Sequence, residues 1–117
     1  MTSYEEAILT AKALSGKKGI NIQVLEIGDV SILADYMVIA TGTSSTHVKA
    51  LADEVEYKLD EAGVSVSHIE GYRSNSWILL DYIDVIVHVF SDEARDFYDL
   101  ERLWQDSKNV DLTGIID

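Results

Sequence analysis

At 117 residues the chain has the length of one ordinary domain, 1–117, enough to bury a core and too short for two. A hydrophobic fraction of 47% beside 26% charged residues excludes a disordered tail, and the absence of cysteine excludes disulfides, thiolate nucleophiles and cysteine metal ligands. Twenty-one acidic against nine basic residues leave a net charge of -12, which disfavours nucleic acid and anionic lipid; plain solubility is the first reading of it, and any partner it points to is a basic protein.

The N-terminal residues 1–14 mix acids with single apolar residues, so they do not read as a signal peptide. Ser3 and Glu6 have capping-box spacing, and Tyr4, Ala7, Ile8, Ala11 and Leu14 follow at helical intervals up to a stop at Gly16. Ile22, Val24, Leu25 and Ile27 form a first strand that ends in the Gly28-Asp29 turn. Residues 36–41 are a run of strand formers. Gly42-Thr43-Ser44-Ser45 then leads into a helix carrying Val48, Leu51, Ala52, Val55 and Leu59, closed by Gly63. Residues 64–69 read as another strand, so 36–69 is expected to be a βαβ crossover with two parallel strands.

Strands 77–80 and 85–90, joined by Asp81-Tyr82-Ile83-Asp84, are short enough apart to make an antiparallel hairpin, and the sheet is therefore mixed. These apolar runs are far below the roughly 20 residues of a membrane span. Ser91 is placed to cap a helix with Asp92 and Glu93 in its first turn and Arg95, Phe97 and Tyr98 beyond. Asp99 is expected to cap one more turn with Leu100, Leu103 and Trp104, and the tail to Asp117 to lie loosely on the surface. The expectation is an α/β (α+β) fold with a mixed sheet of about five strands and three or four flanking helices.

Signals for catalysis are thin. His47, His68 and His88 are twenty or more residues apart with no paired ligand, so no metal site is expected. The Gly42–Ser45 loop enters a helix N-terminus and could hold a phosphate, yet it lacks the P-loop lysine and repeated glycines, so ordinary capping by Ser44 or Ser45 is the better reading. Asp81 and Asp84 lie across a turn, not one residue apart on a strand as a metal-binding acid pair would. An enzyme reading, a nucleotidyl- or phosphotransferase using this loop and these aspartates, stays open as the alternative.

Period two puts Trp77 and Leu79 on one side of their strand, with His88 and Phe90 on one side of the next. If helices cover one sheet face only, these residues form an aromatic patch rimmed by acids, suited to a protein interface. A sheet covered on both faces fits the same pattern.

Several long motifs then occur in register. Asp35-Tyr36-Met37-Val38-Ile39-Ala40-Thr41-Gly42-Thr43-Ser44-Ser45-Thr46-His47-Val48 resembles the opening motif of the Iojap proteins, the ribosomal silencing factors. His68-Ile69-Glu70-Gly71, Trp77, Leu79, Asp81-Tyr82, Asp84-Val85-Ile86-Val87-His88-Val89-Phe90, Arg95, Phe97-Tyr98 and Leu100-Glu101-Arg102-Leu103-Trp104 continue the resemblance over nearly the whole chain. Ile83 departs from it, standing where family members often carry glycine.

The resemblance implies a nucleotidyltransferase-like fold without the catalytic acids, no enzymatic activity and no cofactor. It also implies binding to a basic protein of the large ribosomal subunit, ribosomal protein fourteen, at the face where the small subunit joins. Subunit joining and translation would thereby be blocked when nutrients are short. A cytoplasmic location, few rRNA contacts and no membrane contact go with this, and the exposed sheet face could pair two free copies as a dimer. The residues expected at the partner are Trp77, Leu79, His88 and Phe90 as anchors, Asp81 and Glu101 at the rim, and Tyr82 and Tyr98 beside them.

Overall fold

The computed structural model describes residues 1–74 and 76–116. Ten elements follow in chain order: α1 (Ser3–Gly16), β1 (Ile20–Glu26), β2 (Tyr36–Gly42), α2 (Ser45–Glu61), β3 (His68–Glu70), β4 (Trp77–Asp81), β5 (Val85–Ser91), α3 (Asp92–Tyr98), α4 (Leu100–Leu103) and β6 (Lys108–Asn109). No helix among the described residues is long and apolar enough to cross a membrane.

Helix α1 begins one residue earlier than the sequence spacing suggests. Thr2 Oγ1 accepts from the Glu5 amide at 3.1 Å and Glu5 Oε1 accepts from the Thr2 amide at 2.8 Å, a reciprocal capping box. Ser3-x-x-Glu6 matches the same pattern, but Glu6 is partly buried and its carboxyl is held above the usual range by that burial and by Asp84. It is therefore turned away from the solvated helix start. Ala7, Ala11 and Leu14 form the buried stripe, and the small side chains let α1 lie close against the sheet and α2.

The six strands are ordered β3-β4-β5-β2-β1-β6, with β2 and β5 parallel and every other pair antiparallel. The expected crossover holds in direction. Strand β3 runs parallel to β2, as expected for a βαβ unit, but β5 and β4 are inserted between them, so the two do not pair. The third strand is also shorter than 64–69. Only His68–Glu70 pair fully, while the Ser67 amide reaches Asp81 O at 2.8 Å and Val64 and Val66 tuck against the core without joining the sheet.

Both faces of the sheet carry apolar residues, for two different reasons. On one face Val24, Val38, Ala40, Ile78, Leu80, Val85, Val87 and Val89 pack under α1 and α2. On the other, Leu25, Met37, Ile39 and Phe90 pack with Ile27, Ala34 and Ala94, against which Leu100 and Trp104 also lie. Central β2 is buried on both sides, which accounts for its continuous apolar run.

Two further expectations are corrected. The segment after α4 is not loose: β6 pairs with β1, the Val110 amide donates to Val24 O at 2.8 Å, and Val110, Leu112 and Ile116 pack on the α1–α2 side. Asp117 itself lies outside the described residues. Asp99 precedes α4 but makes no side-chain cap; it takes a left-handed conformation, φ 47° and ψ 53°, and acts as the corner between α3 and α4.

Candidate docking face

The strand register fixes which side chains share the face opposite α1 and α2. Phe90 lies between Trp77 and Thr41; Leu79 lies between Glu70 and His88; Asp81 lies between His68 and Ile86. Arg95 holds α3 over the middle of this face. Its Nη1 donates to Thr41 Oγ1 at 3.0 Å and its Nε donates to Glu101 Oε2 at 3.2 Å, with the guanidinium side chain almost wholly buried. The α3–α4 arm therefore covers β2 and leaves Trp77 and Leu79, toward the β3 edge, half exposed.

Trp77 is fixed from beneath. Its Nε1 donates to His88 Nδ1 at 3.0 Å, and its ring stacks on Phe90 at 5.2 Å and meets Tyr98 at 4.4 Å between centroids. His88 and Phe90 stack at 5.8 Å and are themselves 5% and 1% exposed. Burial pushes the His88 imidazole down to about 4, so near neutral pH it is uncharged, with Nδ1 free to accept and the proton on Nε2. The aromatic surface continues outward through Tyr98, 46% exposed, to Phe97, 80% exposed and set edge-on to it at 5.0 Å, with exposed Leu103 close by along the arm. Asp96 and Asp99 border this end, and Glu70 borders the other beside a small cleft lined by Gly71, Trp77 and Leu79.

The eight residues expected at the partner thus divide. Trp77, Leu79 and Tyr98 form the accessible surface. His88 and Phe90 are its buried foundation and present almost no area of their own. Asp81 is on the face but uses Oδ1 to accept from the Ile83 amide at 2.8 Å, which makes it a turn former. Glu101, expected at the rim, is engaged by Arg95. Tyr82 points the other way, into the α1–α2 core, where burial and the carboxylates of Glu56, Asp60 and Glu6 push its hydroxyl pKa up. Phe97, Leu103, Thr41 and Arg95 belong to the motifs of the resemblance but were not expected at the partner, and the Thr41–Arg95–Glu101 network was not foreseen.

The Gly42–Ser45 loop is tied to its own neighbours. Ser44 Oγ accepts from the His47 amide at 3.1 Å, the Thr43 amide donates to His47 Nδ1 at 2.9 Å, and His47 Nε2 donates to Lys17 O at 2.8 Å. His47 thereby staples the start of α2 to the end of α1, and two of the amides that would cradle a phosphate already have partners. A Cβ on Gly42 would come within 2.9 Å of Val48, so the glycine serves close strand-to-helix packing. Among the described residues no three His, Asp or Glu side chains are grouped to hold a metal ion.

Comparison with known proteins gives a consistent result. The family profile described as "RsfS: Ribosomal silencing factor during starvation" matches residues 1–117. The ribosomal silencing factor RsfS of Halalkalibacterium halodurans is 36% identical over 116 residues, covering 99% of each chain. That of Chromobacterium violaceum is 43% identical over 108 residues, covering 92% of this chain and 88% of its own. A crystal structure of a Chromobacterium violaceum protein superposes with a TM-score of 0.88 at 43% identity, covering 90% of this chain and 88% of that one. Plant proteins named Iojap match as well.

Proposed function

Because the chain belongs to the ribosomal silencing factor family, we propose that it acts in the cytoplasm by docking its aromatic face onto a basic protein of the large ribosomal subunit. The partner is ribosomal protein fourteen, at the surface where the small subunit joins. Occupying that surface excludes the small subunit sterically and represses translation when nutrients are limiting. The action needs no catalysis and no cofactor.

The observation that carries this reading is the Trp77–Leu79–Tyr98 surface, apolar, half exposed and held in place from below, on a chain of net charge -12. A solvent-facing aromatic surface of this kind suits an interface core, since desolvated aromatic anchors dominate binding energy in protein complexes. The negative field suits a cationic protein and works against extensive rRNA contact, since phosphates would be repelled. Sedimentation with isolated subunits tests it. The chain is expected to travel with large but not small subunits and to lower the yield of joined ribosomes. Equal binding to both, or undiminished joining at saturating protein, would refute the proposal.

A further inference from the structure

The cleft at the β3 edge of the face has a chemical character that points to a specific kind of contact. Glu70 and Leu79 are directly opposite in the β3–β4 ladder, so their side chains stand side by side on the docking face, with Trp77 next along β4. The fourth lining residue, Gly71, has φ +73°, and a Cβ there would run into the carbonyl oxygen of Trp77. Only glycine lets the β3–β4 turn close against the strand in this way, and it contributes no side chain to fill the cleft. The result is a narrow notch with two apolar walls, an aromatic ring among them, and a single carboxylate at one end.

We propose that this notch receives one lysine or arginine side chain of the docked protein. The aliphatic stem lies against Trp77 and Leu79, and the cationic head meets the Glu70 carboxylate. The inference rests on the docking reading above and names the partner chemistry at one point of it.

Three observations favour a cation over other occupants. Long basic side chains carry an apolar stem and a charged head, the same sequence of surfaces that the notch offers. The Trp77 ring is held by its bond to His88 and by Tyr98, so it presents a fixed indole, the aromatic group that attracts cations most strongly. Glu70 is largely exposed, and its one ion-pair neighbour among the described residues is His68, at 3.5 Å. An apolar side chain in the notch would instead strip water from the Glu70 carboxylate with nothing in return.

The experiment measures association and dissociation on isolated large subunits for the wild-type chain, Glu70→Gln, Glu70→Lys and Glu61→Gln. Glu61 is exposed at the end of α2, on the other side of the sheet, so Glu61→Gln removes the same charge without touching the face. Glu70→Gln is expected to speed dissociation by about five- to tenfold, and Glu70→Lys by about a hundredfold or more, whereas Glu61→Gln changes it less than about twofold. Glu70 is exposed, and unchanged unfolding curves for its variants would confirm that binding alone is read.

If Glu70→Gln matches Glu61→Gln, the notch assignment is overturned. If Leu79→Ala also speeds dissociation in that case, the notch holds an apolar side chain. A self-association equilibrium that Glu70→Gln abolishes, with subunit binding untouched, would give the notch to a second copy of the chain and overturn the assignment equally. Failure of the wild-type chain to bind large subunits at all would instead remove the docking reading, and the notch assignment with it.

Discussion

His88 offers a test of the face that depends on proton binding alone. In the folded chain burial holds its imidazole at about 4, against an ordinary value of 6.5, and its Nδ1 accepts the Trp77 Nε1–H. Between these two values the unfolded chain binds a proton that the folded chain does not. Stability from this group is therefore complete above pH 6.5 and falls as the pH drops toward 4. The full gap is worth roughly 3 kcal/mol, of which about 2 kcal/mol is lost between pH 7.5 and pH 5. Carboxylates also begin to protonate near the lower end, so the quantity to measure is the difference between wild type and His88→Asn. Asparagine keeps an acceptor near the Nδ1 position and cannot titrate. Its smaller side chain lowers stability by a constant amount, and that offset cancels when urea unfolding is compared at the two pH values. The wild-type advantage is expected to shrink by about 2 kcal/mol from pH 7.5 to pH 5. Parallel pH profiles for the two proteins would mean that His88 is not the buried neutral acceptor the geometry describes.

Other expectations follow from single residues. Trp77→Ala should weaken large-subunit binding by about 2 kcal/mol, chiefly through faster dissociation, whereas added salt should slow association by screening the acidic field. Unfolding measured on the same variant separates lost contact from lost fold, and a stable variant that binds normally would move the interface off Trp77. Ile83 holds φ 74°, a left-handed conformation that a β-branched residue adopts at a cost. Ile83→Gly is expected to raise the unfolding free energy by up to about 1 kcal/mol, and a loss of stability would show that its exposed side chain contributes more than the backbone strain removes.

What the sequence made legible was local, and what it hid was the order in which distant pieces meet. Helices α1 and α2 and strands β2, β4 and β5 were readable because periodicity and caps lie within a few residues of each other. The direction of β3 followed from the crossover, but nothing between residues 36 and 69 reveals that a later hairpin inserts β4 and β5 beside β2. The two-residue β6 is too short to show any period, and its partner lies some eighty residues earlier, so the tail looked unstructured. On the face itself, alternation correctly put His88 and Phe90 on the side of Trp77. It could not say how deeply they would lie, because that depends on where Arg95 sets the α3–α4 arm. Tyr82 is the opposite case. Counting by two from Ile78 and Leu80 already assigns it to the helix-covered side, and only the motif resemblance suggested otherwise.

The burial of His88, Phe90 and Arg95 changes what the face can do energetically, because residues that never touch a partner can still set its affinity. Binding orders side chains, at a cost of roughly 0.5–1.5 kcal/mol for each flexible one that must be immobilised. Trp77 has already met that cost in folding, since its Nε1–H is bonded to His88 and its ring is packed between Phe90 and Tyr98. Tyr98 is likewise positioned by an arm that Arg95 fastens to Thr41 of β2 and braces internally through Glu101. In the proposed docking the acidic residues other than Glu70 would act at a different stage, drawing a basic surface inward before contact, where screening by salt can reach them. On that reading affinity would come from rigidity built on one side of the sheet and encounter from charge spread over the whole chain. Apart from Glu70 the two would be carried by separate residues, which is why a substitution beneath the surface and a change of ionic strength should leave different marks on the rate constants.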